Sequence, residues 1–258
     1  GKVLVKDKAL LSLKDYNLRG RIEELADAGI TSFKIEGRLK NESYVRNVVR
    51  EYSLALDEIV SRRPSDYERG SFGSVSGGFT PDTSKTFNRG YTELFIDGRR
   101  GRWASMDAAK SMGEEIGSIA SLNRDKSEIG LKFTGKDIVL NNGDGFSFVT
   151  KDGKVAGFRG DVCKGKTIRC KSTPTLFIGA KIYRNINAAF EKEIERKNCT
   201  REIRVKAVIS FTMQEDVWKG TASASSEDGR TVSITFVAGS QTAENYERMR
   251  DMICRQIC

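Results

Sequence analysis

Thr31-Ser-Phe-Lys-Ile-Glu-Gly-Arg38 is a short, β-leaning run that ends in a carboxylate, a glycine and a guanidinium. Upstream, Ile22, Leu25 and Ala26 recur at helical spacing before a stop at Gly29, which predicts a short amphipathic helix over 21–28. Downstream, Asn41 suits an N-cap, and Tyr44, Val45, Val48, Val49, Tyr52, Leu56 and Ile59 line one apolar stripe. Helix, strand and helix with short links predict a parallel α/β unit. Functional groups of such units stand where strands end, so Glu36 and Arg38 are candidate catalytic residues, with Gly37 free to turn sharply between them. The alternative is an ion pair, Glu36 with Arg38 or Lys34, that closes the edge structurally.

After Arg62-Arg63-Pro64 the pattern dissolves into Gly70-Ser-Phe-Gly-Ser-Val-Ser-Gly-Gly78, a linker that ends in Thr86-Phe-Asn-Arg-Gly-Tyr-Thr92. Phe87 and Tyr91 suit packing, and Arg89 suits an anionic substrate or an RNA backbone. Between 117 and 183, β-leaning runs (117–120, 129–133, 138–140, 145–149, 155–158, 167–169, 180–183) alternate with turns at 141–145 and 151–153, as in a small closed barrel. A charged helical link follows over 188–199, then strands near 203–211, 218–224 and 231–237 with a turn at Asp228-Gly229, and a last helix from Ala243 to Cys258.

With 38% hydrophobic residues and three prolines in 258, globular order is expected throughout. No apolar run approaches about 18 residues and no signal-peptide pattern opens the chain, so a cytoplasmic protein without a membrane partner is expected. The abrupt strand-like start suggests a piece of something longer. Histidine is absent, which removes Ser-His and Cys-His catalysis and any H-E-x-x-H zinc helix from this chain. The five cysteines match no common disulfide or zinc spacing and read as reduced thiols. The net charge is +9, of which residues 111–190 carry +5. Lys151, Lys154, Arg159, Lys164, Lys166, Arg169 and Lys171 form a basic cluster that suits RNA, or else a solvated face.

The run FKIEGRLKNESYVRNVV (33–49), with LLSLKD (10–15), AGITS (28–32) and TFNRGYT (86–92) in that order, resembles the collagenase-like peptidase family of unassigned catalytic type, family U-thirty-two, and most of all its long members that act on ribosomal RNA. The resemblance implies an α+β multidomain fragment. Residues 1–62 would be the last βα units of a TIM-like catalytic barrel, 63–110 a linker, 111–190 a small elongation-factor-like β-barrel, and 191–258 a helical link with the start of a further α/β domain. It implies hydroxylation of bases in ribosomal or transfer RNA. Cleavage of peptide or collagen is one alternative, and a protein-binding module without catalysis is another. In the RNA-acting members an iron–sulfur cluster is held by barrel cysteines; none of these can be matched here, since residues 1–62 contain no cysteine. No cofactor is therefore expected in this chain, and no activity from it alone. Arg38 would grip a carboxylate or phosphate, and Glu36 would orient substrate or move a proton. Lys14 and Asp15 either face the same mouth or make a structural turn. The 44–59 stripe is expected to pack on the linker or pair with a second copy.

Overall fold

Asn41 opens the longest helix by accepting the Tyr44 main-chain N–H at 3.1 Å, the cap its sequence position predicts. The computed structural model that shows this describes residues 1–6, 8–38, 40–98, 103–106, 110–239 and 244–257. The chain is a mixed α/β protein in two compact units, residues 1–69 with 77–199, and residues 70–76 with 200–258.

The first unit begins with β1 (Asp15–Tyr16), α1 (Ile22–Asp27) and α2 (Glu42–Arg62). After β2 (Ser74–Gly77), β3 (Tyr91–Thr92) pairs in parallel with β1, Asp15 opposite Tyr91. Ile22 of α1 packs on Ala55 and Ile59 of α2, with Phe33, Tyr52, Leu56 and Tyr67 around them. The helix thus turns Asn47, Val48, Ala55 and Ile59 inward and leaves Val45 and Val49 substantially exposed, a narrower buried stripe than periodicity predicts. The expected strand at 30–35 is not formed. A parallel strand needs hydrogen-bonded neighbours, and among the described residues this run has none; Phe33 alone reaches the α1–α2 core.

The rest of the unit is one antiparallel sheet of β4 (Glu114–Leu122), β5 (Glu128–Phe133), β6 (Gly145–Val149), β7 (Val155–Arg159), β8 (Val162–Lys164), β9 (Thr167–Arg169) and β10 (Lys181–Ile186). Its order is β7-β6-β10-β4-β5-β9-β8. The two edges, β7 and β8, are consecutive in the chain and joined only by Gly160-Asp161, so the backbone itself carries the rolled sheet from one edge to the other. A Cβ at Gly160 would lie 2.7 Å from Cys163 Sγ and 2.9 Å from the Phe146 ring, which is why this corner carries glycine. Inside the roll are Ile116, Ile119, Ile129, Leu131, Phe146, Phe148, Ile168, Leu176 and Ile182. Residues 138–140 are not a strand, although Leu140 is buried; β8, too short to show a period, was not expected.

A buried charge network fastens this sheet. The Arg184 guanidinium on β10 donates to Glu114, to the Val139 carbonyl at 2.6 Å and to fully buried Asp144 at 3.3 Å. Asp144 also accepts the main-chain N–H groups of Asn141 and Ala188. It thereby fixes the Asn141–Gly145 turn and the start of α3 (Ala188–Arg196), whose Phe190 and Ile194 bury Phe79.

In the second unit, β2 pairs with β11 (Cys199–Glu202), and β12 (Val205–Gln214), β13 (Val217–Ser226) and β14 (Thr231–Ala238) form a meander. Register sets Ile209 opposite Ala222 and Phe211 opposite Gly220, and the β13–β14 turn contains Asp228-Gly229 as expected. The last helix, α4, runs Tyr246–Ile257; Ala243 and Cys258, its expected limits, lie outside the described residues. No helix among the described residues is long and apolar enough to cross a membrane.

Candidate functional site

The Thr86–Thr92 motif is built from inside. Thr86 and Asn88 are buried. Asn88 Nδ2 donates to the carbonyls of Ser84 and Thr86, each at 3.0 Å, and its Oδ1 accepts the Gly90 N–H at 3.2 Å. This side-chain turn needs Gly90 at φ +81°, a conformation other residues resist. Asn47 supports it from α2, donating to the Asp82 carbonyl (2.8 Å) and Thr86 Oγ1 (3.0 Å) and accepting the Asp82 N–H (2.9 Å). Tyr91 donates its hydroxyl to the Thr83 carbonyl at 2.6 Å. Asn47 was not singled out by sequence; its signal was an amide at a helix position adjoining Val48 on the inward face.

Arg89 projects from this turn to Asp15. The carboxylate accepts Arg89 Nη2 at 2.8 Å and the Arg89 main-chain N–H at 2.7 Å, while the Asp15 N–H donates to the Gly90 carbonyl at 2.9 Å. Arg89 Nε is buried with no acceptor among the described residues. Beside them the Lys40 ammonium lies 3.1 Å from the centroid of the Phe87 ring and 5.7 Å from that of Tyr44. Burial pushes the Lys40 pKa down, against the pull of Asp15 and with the push of Arg89. Burial likewise pushes the Tyr44 and Tyr91 hydroxyls up. The Lys14 stem approaches Gly90. The 10–15, 33–49 and 86–92 motifs therefore meet at one place, through Lys14 and Asp15, Lys40 and Tyr44, and Phe87 and Arg89. A cleft of about 350 Å³ adjoins it, lined by Asn17, Arg19, Glu51, Thr83, Tyr91 and Glu93.

Glu36 and Arg38 are exposed on the loop that leads to Lys40, whose main-chain N–H donates to the Gly37 carbonyl at 3.0 Å, and Glu36 is near enough to the Tyr44 hydroxyl to help raise its pKa. Glu36 is 70% exposed, lies 3.8 Å from Lys34 and accepts the Arg38 main-chain N–H at 3.2 Å. Gly37 serves packing, since a Cβ there would lie 2.9 Å from Val45 Cγ2. The basic residues of 151–171 lie on β7, β8 and β9 and in the turns beside them. Lys154 pairs with Asp152 at 3.7 Å and Arg169 with Glu128 at 3.0 Å. Lys151 and Lys166 lean on Phe177 and Phe133, and Arg159, Lys164 and Lys171 are exposed. Cys170 is buried and Cys163 half-buried beside the sheet core, whereas Cys199 and Cys254 are exposed. Among the described residues no three Cys, His, Asp or Glu side chains gather to hold a metal. These residues do not fit an iron–sulfur cluster.

The span that contains the motif junction, residues 2–105, matches the model of peptidase family U32. This stretch, less than half of the chain, is similar to a peptidase family U32 domain. A 23S rRNA 5-hydroxycytidine synthase of Escherichia coli is 38% identical over 159 residues, 62% of this chain and 23% of that protein. A collagenase of Porphyromonas gingivalis is 31% identical over 101 residues, 38% of this chain and 26% of that protein. The tRNA hydroxylation protein P2 of Bacillus subtilis is 42% identical over 59 residues, 23% of this chain and 19% of that protein. The chain thus spans about a quarter or less of these relatives. No solved structure matches it.

Proposed function

We propose that this U32 chain is the substrate-docking part of an enzyme that hydroxylates RNA bases in the cytoplasm. One observation carries the reading: the rRNA hydroxycytidine synthase matches 159 residues, well past the family span and into the rolled sheet, where the collagenase matches 101. In this reading the exposed loop at Glu36 and Arg38 meets substrate, Arg38 on an anionic group and Glu36 in orientation or proton transfer. The exposed cations Arg159, Lys164, Lys166 and Lys171 dock the RNA backbone, with Lys151, Lys154 and Arg169 as reserve charge. The cluster that family resemblance implies would be held by residues outside this chain, and no step is routed through it.

The test is nucleoside mass spectrometry of ribosomal and transfer RNA from cells lacking the gene, rescued with wild type or Glu36→Ala. Loss of one hydroxylated base, restored by wild type alone, supports the reading; unchanged RNA ends it. The collagenase match supports a second reading, peptide cleavage. Gelatin hydrolysis by the whole protein, abolished by Glu36→Ala, is its signature.

A further inference from the structure

The motif junction brings two cations, Lys40 and Arg89, to Asp15, and both Asp15 oxygens already accept from Arg89. Lys40 has no carboxylate within ion-pair distance among the described residues; a neutral ring is its nearest partner. Arg89 retains a buried Nε–H with no acceptor. Stranded donors beside a half-buried ammonium are costly unless an acceptor arrives. Asp15 holds the guanidinium, and Asn88 the turn that carries it, before any ligand binds, so little ordering is lost when one does.

We propose that Lys40 and Arg89 form a phosphate-binding site, with Asp15 as the residue that orients Arg89 and Phe87 as the platform that seats Lys40. A tetrahedral oxyanion suits this pair because it accepts from a guanidinium fork and a point ammonium at once. The site stands on geometry; only its source, the phosphodiester of an RNA strand or a free phosphate monoester, touches the RNA reading.

The experiment is calorimetric titration of the full chain with inorganic phosphate at constant ionic strength. Lys40 lies outside the Asp15 hydrogen bonds, so Lys40→Ala tests the site without undoing the motif. The expected result is about a tenfold weakening in Lys40→Ala, near-wild-type binding in Lys40→Arg, and no change in Lys136→Ala, an exposed lysine in the bend after β5. Arg89→Lys, which keeps the charge and loses the fork, weakens binding as well. No binding by wild type, or equal binding by Lys40→Ala, overturns the site. A second arm adds a short single-stranded oligoribonucleotide. Displacement by phosphate, lost in Lys40→Ala, assigns the phosphodiester; RNA binding indifferent to phosphate assigns the free monoester. Phosphate binding without any change in cellular RNA hydroxylation keeps this site and ends the RNA reading, and the reverse pattern does the opposite.

Discussion

Asp15 and Arg89, 74 residues apart, are joined twice, carboxylate to guanidinium at 2.8 Å and carboxylate to main-chain N–H at 2.7 Å. The first contact orients a side chain and the second fixes the backbone that carries it. Asp15→Ala removes both and leaves a half-buried guanidinium unpaired. A loss of about 1–2 kcal/mol is expected, with solvent screening the exposed side of Arg89. Urea unfolding checks it, and a midpoint within error of wild type would show that the pair contributes nothing to stability.

Asn47 satisfies three polar groups of the linker from a fully buried position. Asn47→Leu keeps the volume and strands the Asp82 main chain. The expected cost is about 2–4 kcal/mol, since the half-buried Asp82 N–H and carbonyl lose their partner and the buried Thr86 hydroxyl keeps only the Thr83 carbonyl. Amide hydrogen exchange should rise at residues 82–90 before the rolled sheet is affected.

At the core of the roll, Asp144→Ala leaves Arg184 buried with only Glu114 and a carbonyl. Breaking a buried pair costs about 3–5 kcal/mol. Thermal unfolding followed by near-ultraviolet circular dichroism should report it. Double replacement of Asp144 and Arg184 by apolar residues should cost less than the sum of the single changes.

Two glycines of the same segment separate packing from backbone conformation. Gly160→Ala forces a methyl against Cys163 and Phe146 and should cost about 1–3 kcal/mol through overpacking. Gly165 sits at φ +57° with open space around it, so Gly165→Ala carries only the conformational penalty, about 1 kcal/mol. Equal losses at the two positions would contradict the corner argument.

Burial, reinforced by Asp144, pushes the Cys163 thiol up to about 11 from an ordinary value of 9.0. The folded state then holds a proton that the unfolded chain releases, so stability is unaffected below about pH 9, falls between 9 and 11, and is level above. Iodoacetamide at pH 8 should label exposed Cys199 and Cys254 well before Cys163. Removing the effect by Cys163→Ser, with the alkaline loss diminished, checks the assignment.

Short-range chemistry was legible in the sequence. Asn41 as a cap, Gly29 ending α1, and the turns at 141–145, 151–153 and 228–229 depend on residues a few positions apart, and each appears in the structure. The 3.6-residue period of α2 was legible too, but which edge of its stripe is buried depends on what α1 and the linker bring to it. The run at 30–35 has strand composition and no strand, because pairing is a property of neighbours and none of the described residues pairs with it. The site divides the same way. Arg89 and Asp15 were visible as residue types in motifs, whereas the Lys40–Phe87 contact, the Asn47 support and the Asp144–Arg184 pair join residues 35 or more apart. Local patterns are written in consecutive residues, and the sequence by itself determined those; contacts that cross long loops are decided by packing, and only the tertiary structure brought the three motifs to one carboxylate.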